Sequence, residues 1–349
     1  MKTEAFQLVK LGDAFNSFQL AVIELHNPAE DEVQISVESF GLNYADVMAR
    51  RGLYREAPPL PAVIGYEVVG TIAKTGKNVD ASWFGKRVVA FTRFGGYARA
   101  VNTNILAVAD ISEMDAGEAL CLATQYVTAY YMSRYLLNIH EGEKVLVHAA
   151  AGGVGTALIQ LLKANKAYVI AKTGSGAKID YLKGLGADFV VNYKTSDYSS
   201  AVLEHIQNDR IDVSFNPVAG STFKTDWKLT GSGGRVVLFG GSERSGKKWG
   251  ILSTLNFVRK MGVIIPIGLM MRSKNVLGVN MLKVADKKPM VLHRCLNAVV
   301  ALARTKEISP KVGASFSSDE LAKAHHLLES GASTGKVIVT WNALDKDTR

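Results

Sequence analysis

Two cysteines in 349 residues, Cys121 and Cys295, are too few and too widely spaced to build a disulfide framework. That usage suits a reducing compartment. The amino terminus, MKTEAFQLVKLGDAF, lacks the basic stretch and continuous apolar run of a secretory signal. Long apolar runs are missing too. The 18 uncharged residues between Lys144 and Lys163 include His148, Gly152, Gly153 and Gly155, and MGVIIPIGLMM spans only 11 residues. A bilayer core needs about 20 apolar residues in helical form. These absences lead us to expect a soluble, cytoplasmic protein. At 48% hydrophobic and 21% charged residues the chain is also neither disordered nor fibrous. Its length allows roughly two domains with their own cores.

Acidic residues are scarce in one region. From Arg244 to Lys311 there are 14 Lys or Arg against Asp286 and Glu307 alone, so this segment carries +12 of a net +9 and the remainder is slightly negative. Such a segment is either a solvated surface or an attractant for anions. No zinc-finger spacing, basic zipper or RNA-binding motif accompanies it, which argues against nucleic acid. Arg244, Lys247, Lys248, Arg259 and Lys260 flank apolar residues, a composition fit for a substrate lid or for weak contact with an anionic membrane. The lack of a lipidation motif weighs against the membrane.

The first third reads as short strands and turns: VQISVESFGL, VVGTIAKTG and RVVAFTRFGGYARAV are β-rich and punctuated by glycine. From about residue 113 the pattern changes to Ala, Leu and Met, followed by repeated exchange of β-rich runs and helical stretches. KVLVHAA, AYVIAKT, ADFVVNY, IDVSFNPVAG and GGRVVLFGG are the expected strands. That alternation specifies an α/β fold with a doubly wound parallel sheet, which binds ligands where the strand ends converge. GRVVLFG reads as an edge strand able to pair with its equivalent in a second subunit, so a homodimer is expected.

VLVHAAAGGVG is the most specific feature. Ala150, Gly152 and Gly155, with Gly153 and Val154 between them, approximate the G-x-G-x-x-G dinucleotide turn, and the turn follows a strand and opens a helix. Gly152 would admit a pyrophosphate to the backbone and Gly155 would allow close helix packing. The next strand exits through Lys172, Thr173, Gly174, Ser175 and Gly176, with Lys178 just beyond and no carboxylate before Asp180. Hydroxyls and a lysine favour a ribose 2′-phosphate, hence NADPH over NADH. Ser175 as a helix cap and Lys178 as a solvated charge are the plainer alternatives.

Together, FGLNYADVMARRGLY, LPAVIGYEVVGTI, GGYARAV, LATQYVTAYYM, AAAGGVG and LGADFVVNY occur in the order that resembles the zinc-independent quinone oxidoreductase branch of the medium-chain dehydrogenase/reductase superfamily. The NYADVMARRGLY segment and the insertion around residues 244 to 283 are similar to the vesicle amine transport protein 1 group. The resemblance implies a GroES-like, mostly β domain over residues 1–124, a Rossmann NADPH-binding domain over 125–275, and C-terminal helices over 276–349 that return to the first domain. It implies substrate between the lobes, against the nicotinamide. Tyr193 would contact the phosphate side of the cofactor, and Asn216, Val218, Phe239 and Gly240 would line the nicotinamide channel, with packing or turn formation the alternative for these four.

Zinc-dependent members of the superfamily carry Cys and His where this chain has Asn43 and Tyr66, and Thr124 stands where another zinc-site Cys can occur. The closely spaced cysteines of a structural zinc lobe are missing, so no metal is expected. His148 reads as a packing or hydrogen-bonding residue, and His325 and His326 as features of a terminal helix. The resemblance then implies hydride transfer from NADPH to the electron-poor carbon of a quinone or α,β-unsaturated ketone. Asn43 and Tyr54 are the substrate-side candidates, Thr128 lies near the nicotinamide, and Asp46 organises the site from behind. The alternative is a nucleotide-sensing or peripheral membrane-associated protein with little turnover.

Overall fold

The computed structural model describes residues 1–244 and 250–343. Its contacts divide into two units, Met1–Val127 with Leu282–Arg349, and Thr128–Met281. Lys247 and Lys248 lie outside the described residues.

The glycine-punctuated β-rich runs of the first unit become β1 (Lys2–Leu8), β2 (Phe18–Glu24), β3 (Glu32–Leu42), β4 (Ala62–Val63), β5 (Glu67–Thr75), β6 (Arg87–Phe91), β7 (Ala100–Asn104) and β8 (Val108–Asp110). β1 pairs antiparallel with β2 and β4. β3 pairs antiparallel with β5 and β7, and the ladder continues from β5 through β6 to β8. Val33, Ile35, Phe40 and Leu42 of β3 pack with Val68 and Ile72 of β5 and Val88 of β6 in the core of this unit. The helix Tyr44–Arg50 follows β3 directly and carries Asp46 in its first turn.

The second unit holds β9 (Lys144–Val147), β10 (Tyr168–Thr173), β11 (Phe189–Asn192), β12 (Ile211–Asn216), β13 (Thr230–Leu238) and β14 (Asn275–Gly278). They form one sheet in the order β11-β10-β9-β12-β13-β14, and every pairing is parallel. Val145, Leu146 and Val147 are fully buried, as a strand covered on both faces requires. The chain runs outward in opposite directions from β9, and at that reversal open α/β sheets bind ligands. GRVVLFG is not an edge: β13 pairs with β12 on one side and β14 on the other, so the outer position belongs to β14.

β15 (Val312–Ser317) and β16 (Lys336–Thr340) return to the first unit. β16 pairs antiparallel with β3, Val337 opposite Leu42 and Val339 opposite Phe40, so residues distant in sequence close one sheet. Among the described residues no helix is long and apolar enough to cross a membrane.

Candidate functional site

In the second unit, β9 runs into the glycine turn and then into the helix Gly153–Ala164. Ala150 is fully buried, and its N–H donates to the Lys172 carbonyl at 3.1 Å, which ties the turn to β10. The first helical amide to bond backward is that of Thr156, to Gly152 O at 2.8 Å. The preceding amides, those of Gly153, Val154 and Gly155, are at the positive end of the helix dipole, with no acidic residue in the first turn. Gly155 is required sterically, because a Cβ there would lie 2.5 Å from Ala150 O and 2.6 Å from Ala149 O. Gly152 is less constrained, with Ala149 O at 3.3 Å from the corresponding point.

Thr173 ends β10 in a buried position, and its hydroxyl accepts from the Ser175 N–H at 3.3 Å. Ser175 precedes the short helical turn Gly176–Lys178 but makes no side-chain cap hydrogen bond, which removes the capping alternative. Lys178 is partly buried, and desolvation lowers its pKa. Tyr193 follows β11, is half exposed, and its N–H bonds Thr173 O at 3.0 Å. Its phenol lies across Gly174, where an added Cβ would meet the Tyr193 oxygen at 2.6 Å. Thr173, Gly174, Ser175 and Tyr193 are thus brought together at the β10 exit.

Behind that exit is a buried polar network. Lys172 Nζ lies 3.3 Å from His148 Nδ1, and His148 Nε2 lies 3.0 Å from Asp226 Oδ1. Asp226 also accepts from Ser214 Oγ at 2.7 Å, Tyr198 Oη at 2.9 Å and Asn216 Nδ2 at 2.6 Å. Burial opposes the ionised Asp226 carboxylate, but His148 and the hydroxyl donors outweigh it and hold its pKa below the usual value. Burial pulls Lys172 down to about 8, against the attraction of Asp226 and Asp197. His148 is lowered as well, chiefly by burial. An acceptor-only carboxylate on Nε2 and an ammonium donor on Nδ1 define a neutral imidazole protonated at Nε2.

Asn216 turns out to hold a turn. Its Oδ1 accepts the N–H groups of Val218 and Ala219, each at 2.8 Å, and its Nδ2 donates to Thr222 and Asp226, so the side chain is committed to the turn rather than projecting from it. Val218 is half-buried in that turn. Phe239 is half-buried and Gly240 exposed beyond β13, where a Cβ on Gly240 would meet Pro217 O at 2.6 Å. Thr128 is a buried residue of the short helix Val127–Tyr130.

The first unit gathers Asn43, Asp46, Tyr54 and Tyr66. Asp46 Oδ2 accepts the Asn43 N–H at 2.8 Å from a fully buried position. Burial raises its pKa to about 7, against the lowering effects of the Asn43 N–H and the Lys336 charge. The Asn43 amide is largely occupied: Nδ2 donates to Glu67 Oε1 at 2.8 Å and Oδ1 accepts from Lys336 Nζ at 3.1 Å. Lys336 and Glu67 are themselves an ion pair, both fully buried. Tyr54 is half-buried, set edge-on to Tyr66 with ring centroids 6.3 Å apart, and desolvation raises both phenols. His325, fully buried, meets the Tyr97 hydroxyl at 3.1 Å, and burial lowers it to about 3.

Lys336, Glu67 and Asp226 are charged groups that sequence reasoning did not single out, and it named Lys172 only as part of the strand exit, with no role of its own. For Lys336, Glu67 and Lys172 the signal was a charge inside an apolar strand, as in YEVVG, YVIAKT and GKVIVTW, whereas Asp226 lies in the helix Ser221–Leu229 and had no such signal.

Comparison with known proteins fits this geometry. Residues 29–130 match the alcohol dehydrogenase GroES-like domain, and residues 153–297 match the zinc-binding dehydrogenase family. The rat synaptic vesicle membrane protein VAT-1 homolog is 28% identical over 314 residues, 89% of this chain and 77% of that protein. The human VAT-1 homolog-like crystal structure superposes with a TM-score of 0.84 at 25% identity, covering 99% of this chain and 100% of that one. Escherichia coli quinone oxidoreductase, solved in complex with NADPH, gives 0.82 at 25% identity, covering 97% and 99%. These matches define a class, a GroES-like domain joined to a Rossmann dehydrogenase domain. Within it the chain has a zinc-independent quinone and enoyl oxidoreductase fold like that of the medium-chain dehydrogenase/reductases and is related to the VAT-1 group. The zinc in the name of the matched family does not fit these residues. Among those described, no three His, Cys, Asp or Glu are grouped to hold a metal, and the Lys336 ammonium sits against Glu67 and Asn43.

Proposed function

We propose that this protein is an NADPH-dependent reductase of quinones or α,β-unsaturated carbonyl compounds that works without zinc. The observation that carries the reading is the β10 exit: Ser175, whose side chain makes no cap hydrogen bond, and Tyr193 stand there, with Lys178 just beyond in the chain and no carboxylate before Asp180, after a glycine turn that presents a helix N-terminus. Bound NADPH supplies a hydride to the electron-poor carbon of the substrate. The amides of Gly153, Val154 and Gly155 hold the pyrophosphate. Ser175, Lys178 and Tyr193 receive the 2′-phosphate, with Thr173 and Gly174 shaping the backbone beneath it. On the substrate side Tyr54 donates its phenolic proton in a hydrogen bond to the carbonyl oxygen, and Asn43 contributes the second proton of Nδ2. Thr128 orders the nicotinamide end. Asp46 holds the Asn43 backbone, and its raised pKa limits the negative charge beside a developing enolate. Solvent supplies the proton that completes reduction.

Steady-state reduction of a panel of quinones and enones with NADPH and with NADH tests this reading. Turnover with NADPH is expected, and tight NADPH binding without turnover on any panel member would favour the nucleotide sensor. We place the protein in the cytoplasm, in keeping with two buried, unpaired cysteines, and propose a homodimer joined through β14, which among the described residues pairs only with β13. Light-scattering mass across dilution checks the dimer; a persistent mass near 37.7 kDa would exclude it.

A second reading, weak contact with an anionic membrane, has one specific observation in its favour. Val258, Val263, Ile265, Met270 and Met271 are all more than half exposed, in a stretch from residue 244 to 285 that contains eight Lys or Arg and no acidic residue. Co-sedimentation with anionic vesicles that falls with salt is the expected sign, and Lys247→Ala with Lys248→Ala should weaken it.

A further inference from the structure

The Lys172 ammonium is buried at the end of β10, and among the described residues no carboxylate touches it directly. Its contacts are His148 Nδ1 at 3.3 Å, the face of Tyr198 at 3.5 Å from the ring centroid, and the face of Tyr193 at 5.1 Å. Its counter-ion, Asp226, is one imidazole away. Tyr193, by contrast, is half exposed, and its phenol rests on a glycine that has no side chain to obstruct it. The exposed ring is therefore anchored from beneath by a cation–π contact and one backbone hydrogen bond to Thr173.

We propose that Lys172 is a positioning residue for the phosphate side of the nucleotide: its ammonium fixes the Tyr193 ring against the β10 exit and so sets the preference for a 2′-phosphorylated cofactor. This rests on the NADPH reading above and deepens it. The groups that face Lys172 are His148 after β9, Tyr193 after β11, Tyr198 and the capping Asp197 of the helix Tyr198–His205, and Asp226 of the helix Ser221–Leu229. Of these, His148 is held neutral and Asp226 ionised near neutral pH. Lys172 itself, lowered to about 8, is the group of this network that titrates in the mildly alkaline range. Loss of its proton removes the cation from beneath Tyr193.

The test is equilibrium binding of NADPH and NADH to the wild type, Lys172→Met and Lys178→Ala, from about pH 7 to about pH 9.5. The wild-type preference for NADPH should fall about tenfold across that range, the scale of one cation–π contact. Lys172→Met should show a preference about tenfold lower at neutral pH and flat with pH, with NADH affinity little changed. Lys178→Ala should lower the preference yet keep the alkaline fall, which separates the two lysines. Should Lys172→Met fail to fold, the Lys178→Ala profile decides, since a flat one overturns the proposal. An NADPH preference that survives in Lys172→Met with the wild-type pH profile overturns the Lys172 role and leaves the cofactor reading standing. Equal affinity of the wild type for both nucleotides at every pH overturns both.

Discussion

Each unit buries a lysine, and the two are neutralised differently. In the first unit Lys336 of β16 pairs directly with Glu67 of β5 and reaches Asn43 as well, so charge meets counter-charge in a closed contact. In the second, Lys172 reaches Asp226 through His148, and Tyr198, over whose ring the ammonium lies, donates its hydroxyl to the same carboxylate. A direct pair in a dry interior is a fixed structural element, destabilising when half removed. Burial lowers Lys172 to about 8, within reach of solution conditions. The difference separates a unit whose polar core holds the Asn43 amide in place from one whose polar core lies beneath the β10 exit and contains a lysine lowered to about 8.

The sharpest way to break this comparison is Lys336→Met. It strands the Glu67 carboxylate and removes the donor to Asn43 Oδ1, so urea unfolding should show a loss of about 3–5 kcal/mol. Adding Glu67→Gln should restore part of it. A loss well under 1 kcal/mol would mean that the pair is not the fixed element described. Next in size is Asp226→Asn, which weakens four hydrogen bonds to a charged acceptor and should cost about 2–3 kcal/mol. The same variant should also lower the pKa of Lys172, visible as an earlier alkaline fall in NADPH preference.

Asp46 sharpens the comparison from the first unit. Its folded pKa of about 7 exceeds the ordinary 3.8, so the folded state binds the extra proton between those values. Its contribution to stability is therefore fully present below the ordinary value and is lost as pH rises through about 7. Asp46→Asn keeps an acceptor for the Asn43 N–H and lacks this titration. Relative to the wild type it should gain about 2 kcal/mol between pH 5 and pH 7, measured by unfolding at several pH values. Parallel profiles for the two proteins would contradict the buried carboxyl. The smallest expected effect is Lys178→Ala, which should weaken NADPH by about 1–2 kcal/mol and NADH far less. Equal losses for the two nucleotides would assign Lys178 to packing.

The nucleotide half of the molecule was legible because its signals are local. Strand, turn and helix follow one another within KVLVHAAAGGVGTALIQ, and the lack of an acidic residue at the β10 exit is visible in a few letters. The edge was misjudged because β14 is only four residues long and comes after an insertion of more than thirty, so nothing beside GRVVLFG announces the strand that covers it. The fate of Asn43 was hidden for a similar reason. Its partner Lys336 lies 293 positions away, brought close by the antiparallel pairing of β16 on β3. Asn216 illustrates a second limit: its place after a strand was readable, whereas the commitment of its amide to Val218, Ala219 and Asp226 depends on side-chain geometry.

This chain transfers hydride from NADPH to an electron-poor acceptor without zinc. Single-turnover oxidation of enzyme-bound NADPH by a quinone or enone, run after dialysis against a chelator and repeated with the transferable hydrogen replaced by deuterium, tests it most directly. Rapid oxidation that survives chelation and slows measurably on deuteration is expected. Bound NADPH that persists in the presence of every acceptor, or oxidation that vanishes with the chelator and returns with added zinc, would contradict it.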